Sequence, residues 1–208
     1  MNMMKLATEE ESKTNTSSRH DENKNREIEV RFLDIDQNAL IEKLRSLNAR
    51  DLGEDFLSEV IFYDKAGRWQ YKEKKFVRIR QTKTGVFLAF KHNEEDTATG
   101  TKEIEVEVGD FEKTKALLEE IGLAAFRENE KKRRTFLLGD VTVDIDTWPS
   151  VPTYVELEGP SEKSLKAAAK KLGLDWSKTV FESPRFVIEK YYKIPVSRLR
   201  FFTFQKIE

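Results

Sequence analysis

Glu27-Ile28-Glu29-Val30-Arg31-Phe32 alternates charged and apolar side chains at every step. Successive side chains of a strand point to opposite faces, so Glu27, Glu29 and Arg31 share one face and Ile28, Val30 and Phe32 the other. The same split recurs along the chain. Arg78 and Arg80 oppose Val77 and Ile79, and Glu103, Glu105 and Glu107 oppose Ile104, Val106 and Val108. Asp144 and Asp146 oppose Val143 and Ile145, and Glu156 and Glu158 oppose Val155 and Leu157. Lys131 and Arg133 share a face, and Lys91 ends the run Val86-Phe87-Leu88-Ala89-Phe90. Period-two patterning predicts eight strands, at 27–33, 57–64, 75–83, 86–92, 101–108, 131–138, 141–146 and 152–159. Short turns such as Thr84-Gly85 and Gly139-Asp140 predict hairpins, hence a mainly antiparallel sheet.

An ordinary amphipathic sheet with one wet face accounts for the alternation. It does not account for the segregation of sign by strand, since four runs are nearly all carboxylate and three nearly all cationic. Like charges two residues apart on one face repel, and solvated faces usually intermix signs. Eight antiparallel strands closed into a barrel with the charged faces inward leave a lumen about wide enough for one small ligand. The expected fold is therefore α+β: an eight-stranded antiparallel closed β-barrel with helices packed on its outside. Carboxylates suit hard cations such as Mg²⁺ or Mn²⁺, and Arg and Lys suit phosphate oxygens.

Three amphipathic helices follow acidic strands. The first starts after Asp36 with Leu40, Ile41, Leu44 and Leu47 on one stripe, and the second after Asp110 with Leu117, Leu118 and Ile121, stopping at Gly122. The third follows Ser161 with Leu165, Ala168, Ala169 and Leu172, stopping at Gly173. A fourth starts near Pro184 and carries Phe186, Val187, Ile188 and Tyr191.

A length of 208 residues predicts one domain with tails. Residues 1–25 are too polar to offset their ordering entropy and read as a disordered leader. Residues 26–193 form the folded body, and 194–208 a basic and aromatic tail in which Phe201, Phe202 and Phe204 suggest a homodimer contact. With 37 Lys and Arg against 38 Asp and Glu there is no bulk basic field for nucleic acid, and no nucleic-acid partner is expected. The absence of cysteine excludes disulfides, thiolate metal sites and a thiol nucleophile. No stretch matches a secretory signal or a helical membrane span, so the chain reads as cytoplasmic without a membrane partner. There is no phosphate-binding Gly-x-x-x-x-Gly-Lys loop, no Gly-x-Gly-x-x-Gly and no serine-nucleophile motif.

Glu27-Ile28-Glu29-Val30-Arg31 resembles the Glu-x-Glu-x-Lys signature of CYTH proteins, the triphosphate tunnel metalloenzymes. The likeness spans about residues 26–193 and takes in Arg78 and Arg80, Lys91, Glu103 and Glu105, Lys131 and Arg133, Asp144, and Glu156 and Glu158, in the family's order. It implies a tunnel in which carboxylates hold Mg²⁺ or Mn²⁺ and basic side chains grip a triphosphate. Carried over, the metal ligands are Glu27, Glu29, Glu103, Glu105, Asp144, Asp146, Glu156 and Glu158. The phosphate contacts are Arg31, Arg78, Arg80, Lys91, Lys131 and Arg133. Glu27, Glu29 and Arg31 stand at the reacting centre, and Glu107 at the rim. Arg31 departs from the signature, replacing a compact ammonium by a larger, planar, permanently protonated group.

The resemblance implies a small-molecule triphosphate substrate and one of two reactions: hydrolysis of an inorganic, nucleoside or thiamine triphosphate, or cyclisation of ATP as in class IV adenylate cyclases. No base-recognition feature is visible, which favours the triphosphatase; Phe87, Phe90, Trp69 and Tyr71 are the available aromatics. A non-catalytic protein that binds polyphosphate or a nucleotide is the third reading.

Overall fold

The computed structural model describes residues 26–94, 97 and 100–208; the leader expected at 1–25 lies outside them. Ten strands are present: β1 (Arg26–Glu27), β2 (Glu29–Phe32), β3 (Arg50–Asp64), β4 (Lys75–Gln81), β5 (Val86–Asn93), β6 (Thr101–Val108), β7 (Leu123–Leu138), β8 (Val141–Thr147), β9 (Tyr154–Glu158) and β10 (Phe201–Phe202). The helices are α1 (Gln37–Ser46), α2 (Phe111–Glu120), α3 (Glu162–Leu172) and α4 (Pro184–Tyr192). Each of the first three starts on a side chain that caps a free backbone N–H: Asp36 accepts from Ala39 at 3.0 Å, Asp110 from Lys113 at 2.9 Å, and Ser161 forms a reciprocal capping box with Ser164. No helix among the described residues is long and apolar enough to cross a membrane.

The strands form one curled sheet in the order β1-β6-β5-β4-β3-β7-β8-β9-β2, antiparallel throughout, with β10 added to β7 in parallel. The first predicted strand divides at Ile28. Its start pairs with β6 over two rungs, Arg26↔Lys102 and Glu27↔Thr101, and its continuation pairs with β9 from Glu29↔Glu158 to Phe32↔Val155. This corrects the expected closed barrel to an open half-barrel. β1 and β2 terminate the sheet without pairing with each other, and a two-residue β1 cannot cover the edge of β6. On that strand Ile104 and Val106 remain 47% and 51% exposed.

A second correction concerns β3 and β7, which begin at Arg50 and Leu123 rather than at 57 and 131. They pair with each other from Arg50↔Leu137 to Asp64↔Leu123, with bulges at Asp51/Gly53 and Ile61/Phe62. Gly53 adopts φ +88°, a conformation that strains any side chain, and so marks the first bulge. Arg50–Phe56 and Leu123–Glu130 lack clean apolar alternation; the first is held as strand by pairing with Lys132–Leu137 and the second by pairing with Ser58–Asp64.

The apolar faces point outward, and helices cover most of them, the exception being Ile104 and Val106 of β6. Val30, Phe32, Val143, Ile145, Val155 and Leu157 pack under Leu40, Ile41 and Leu44 of α1 and Leu165, Ala168 and Leu172 of α3. Val60, Phe62, Val77, Ile79 and Val86 pack under Leu118 of α2. A third cluster joins Trp148, Val151 and Tyr154 to Ile188 of α4, Val196 and Phe202. The tail therefore packs on its own sheet: Phe202 is fully buried, and Phe204 leans on Phe56. With most of the apolar face covered by helices, the charged face is left to line the concave side.

Candidate functional site

The strand register stacks the charged side chains into rungs. Arg31 lies opposite Glu156, which lies opposite Asp144; Arg133 lies opposite Asp146; Glu29 lies opposite Glu158. Across the other wall Glu59, Arg80, Phe87 and Glu107 form one rung, and Phe76, Lys91 and Glu103 another. The concave face encloses a cavity of about 260 Å³. All six expected phosphate contacts line it, as do Glu27, Glu29, Glu103, Glu105, Glu156 and Glu158. Asp144 and Asp146 do not line it. Asp146, fully buried, accepts from Lys131 at 2.8 Å and from Arg133 at 2.6 Å through both oxygens, and so fixes these two cations rather than offering a free ligand oxygen. Glu107, expected at the rim, is exposed.

The cavity is a lattice of ion pairs. Lys91 Nζ sits 2.8 Å from both Glu27 and Glu103; Arg78 contacts Glu103 at 3.1 Å, Glu105 at 3.3 Å and Glu59 at 3.6 Å; Arg80 contacts Glu105 at 2.8 Å. Arg133 reaches Asp144 at 2.7 Å and Glu156 at 2.6 Å. Even so, donors and acceptors are left over. Arg78 Nε, Arg80 Nε and Glu59 Oε1 are buried without a hydrogen-bond partner among the described residues. Such groups cost roughly 1–3 kcal/mol each when left unmade, so the site is built to meet a ligand.

Arg31 is 2% exposed. Its Nε donates to Glu156 at 2.7 Å, one terminal nitrogen to Glu29 at 2.7 Å and the other to the Glu182 carbonyl at 2.9 Å, while its backbone bridges Val180 in both directions. Expected as a phosphate contact, it lines the cavity and also ties two cavity carboxylates to the segment that leads into α4. A lysine ammonium lacks the planar fork that meets three acceptors in this way.

Charge sets the protonation of the carboxylates. Burial pushes Glu27 up to about 9, against the pull of Lys91, with Glu103 and Glu29 adding repulsion. Burial and Glu29 likewise raise Glu158. Burial also acts to raise Glu156, but Arg31, Arg133 and Lys131 outweigh it and hold Glu156 well below the usual carboxylate range. Glu27 and Glu158 thus sit where burial and neighbouring carboxylates oppose ionisation, whereas Glu103 and Glu156 are held ionised by the hydrogen bonds and cations around them.

Four buried residues of the cavity with amide or charged side chains escaped the sequence reading: Glu59, Gln70, Arg127 and Asn129. Arg127 and Asn129 continue the alternation of Lys131 and Arg133, a signal hidden because the strand seemed to begin at 131. Glu59 is a lone charge in an apolar run, and Gln70 sits in a single π-helical turn, Trp69–Glu73, that no local pattern marks.

A curled antiparallel sheet whose concave face combines clustered carboxylates with a row of guanidinium and ammonium groups defines a class of charged-cavity proteins suited to polyanions. The chain belongs to the CYTH domain family, whose model matches residues 25–192. A protein of Methanocaldococcus jannaschii, MJ0240, described as a candidate adenylate cyclase, is 26% identical over 133 residues, which cover 64% of this chain and 75% of that one. Among solved structures, PH1012 of Pyrococcus horikoshii matches with a TM-score of 0.64 at 21% identity, over 76% of this chain and 96% of that one. HpAC1 of Hippeastrum, a candidate adenylyl cyclase described as having dominant triphosphatase activity, matches with a TM-score of 0.55 at 13% identity, over 79% and 94%. These structural likenesses establish the fold.

Proposed function

We propose that this chain is a divalent-metal-dependent triphosphatase that binds an inorganic, nucleoside or thiamine triphosphate in its charged cavity and hydrolyses it. The carrying observation is the pair of guanidinium Nε donors on Arg78 and Arg80, two residues apart on one face of β4, buried and without acceptors. Phosphate oxygens supply what they lack, in charge-assisted hydrogen bonds stronger than neutral ones. Lys91, Lys131 and Arg133 line the same cavity and neutralise the charge that develops on the phosphoryl oxygens.

Among the described residues no three carboxylates or histidines are already gathered around a metal-sized space. The donor chemistry nevertheless fits a hard cation: Glu27, Glu29, Glu103 and Glu158 are oxygen donors lining one side of the cavity, and a positive charge there offsets the burial and the neighbouring carboxylates that lift Glu27 and Glu158. Bound there, Mg²⁺ or Mn²⁺ supplies Lewis-acid polarisation of phosphoryl oxygens. Arg31 acts on the carboxylates, fixing the positions of Glu29 and Glu156 by hydrogen bonds. The dominant activity described for HpAC1 agrees with hydrolysis, and the description of MJ0240 supports cyclisation of ATP as the second reading.

Phosphorus-31 NMR with tripolyphosphate and separately with ATP, in Mg²⁺ and then Mn²⁺, decides between them. Orthophosphate release is expected. Pyrophosphate with cyclic AMP overturns hydrolysis in favour of the cyclase, and unchanged substrates with tight binding overturn both in favour of a binding protein.

A further inference from the structure

Arg127 differs from the six cations expected to grip phosphate. Arg31, Arg78, Arg80, Lys91, Lys131 and Arg133 each touch at least one carboxylate. Arg127 is 4% exposed, yet its Nε donates to the amide oxygen of Asn129 at 2.8 Å and a terminal nitrogen to the Val196 carbonyl at 2.9 Å, both neutral acceptors. Burial and the nearby Arg185 act against its charge, while Tyr63 and, less strongly, Glu189 support it, so that the balance lowers its pKa. A guanidinium held in a dry site with no carboxylate in contact is costly.

Its position is informative. Arg127 lies opposite Ile61, which lies opposite Arg78, so its Cα is about 10 Å from that of Arg78 across two strand spacings. On its own strand it continues the row Arg133, Lys131, Asn129 at every second residue. Buried Gln70, which donates to the Ser197 carbonyl at 3.1 Å, and Arg185 line the same part of the cavity.

We propose that Arg127, with Asn129 and Gln70, forms an anion subsite beyond Arg78 and Arg80 that takes a further phosphate of the substrate, so that a tetraphosphate chain is bound in preference to a triphosphate. A phosphate brings the missing counter-charge and matches the guanidinium fork, whereas a neutral base leaves the charge uncompensated. The proposal rests on the phosphate-cavity reading and extends it to substrate length.

The decisive variant is Asn129→Asp, which keeps the oxygen that accepts from Arg127 and adds the counter-charge internally. Calorimetric titration of the full chain with inorganic tripolyphosphate, tetrapolyphosphate and ATP, in EDTA so that nothing turns over, is expected to give about tenfold tighter binding of tetrapolyphosphate than of tripolyphosphate. Asn129→Asp should abolish that ratio while melting no lower than wild type, and Arg127→Gln should abolish it also. Equal affinity for the two chains in the wild type, or a ratio unchanged in both variants, overturns the subsite and leaves the triphosphate reading standing. If ATP rather than tetrapolyphosphate gains the tenfold and Asn129→Asp removes it, the subsite takes a nucleoside and the phosphate assignment is wrong. If neither polyphosphate binds, the phosphate-cavity reading fails and the subsite with it.

Discussion

Replacing Glu27 by Gln should stabilise the metal-free protein while removing its metal-dependent turnover. Glu27 is 17% exposed at the side chain, and burial with the neighbouring Glu103 and Glu29 moves its pKa from 4.5 to about 9, even with Lys91 at 2.8 Å. A carboxyl whose folded pKa lies above its unfolded value keeps a proton that the unfolded chain releases, so its contribution to stability falls as pH rises from about 4.5 to about 9. At pH 7 that contribution is a loss of about 3 kcal/mol, and at pH 5 of less than about 1 kcal/mol. Glutamine has the same shape, still accepts from Lys91 and does not titrate. The gain from Glu27→Gln should therefore grow by about 2 kcal/mol between pH 5 and pH 7, or roughly 4–8 °C in Tm for a chain of this size. Thermal unfolding in EDTA across pH 5 to 9 reads this directly, and a repeat with Mg²⁺ should raise the melting point of the wild type but not of the variant. A stability difference that stays flat over this range, or a variant less stable than wild type throughout it, would refute the reasoning that burial and neighbouring carboxylates oppose ionisation of Glu27.

Further outcomes follow from the same geometry. Arg31→Lys leaves one ammonium to serve Glu29, Glu156 and the Glu182 carbonyl, so chemical denaturation should show a loss of about 1–3 kcal/mol, with kcat falling more than KM rises. Arg80→Gln removes an unpaired Nε donor and should raise KM for tripolyphosphate about tenfold or more in a phosphate-release assay. Phe202→Ala empties a fully buried position stacked on Trp148 and should cost about 3–5 kcal/mol in urea unfolding; an unchanged melting point would return the aromatic tail to the role of an intermolecular contact. Ser161→Ala breaks the capping box of α3, on the side of the sheet away from the cavity, and should cost about 1 kcal/mol with turnover unchanged.

The alternation in Glu27–Phe32 and its counterparts already specified which side chains share a face, because period two is a property of the strand itself and needs no partner. The helix starts at Asp36, Asp110 and Ser161 were legible for the same reason, since a cap satisfies backbone groups three residues away. The six expected phosphate contacts and six of the eight expected metal carboxylates line the cavity because helices cover most of the apolar face and leave the charged face on the concave side. What local pattern could not supply were the consequences of pairing between distant segments. Arg50–Phe56 is a strand because it pairs with Lys132–Leu137, and Leu123–Glu130 because it pairs with Ser58–Asp64, and with the latter came Arg127 and Asn129. The opening of the barrel follows from where the chain bends at Ile28, and the sequestration of Asp146 from a bidentate contact with Arg133. Arg31 reads in sequence as one more positive charge. Only the approach of Glu156 and Glu182, more than a hundred residues away, makes it a clamp, because side-chain chemistry is local whereas its partners are chosen by the fold.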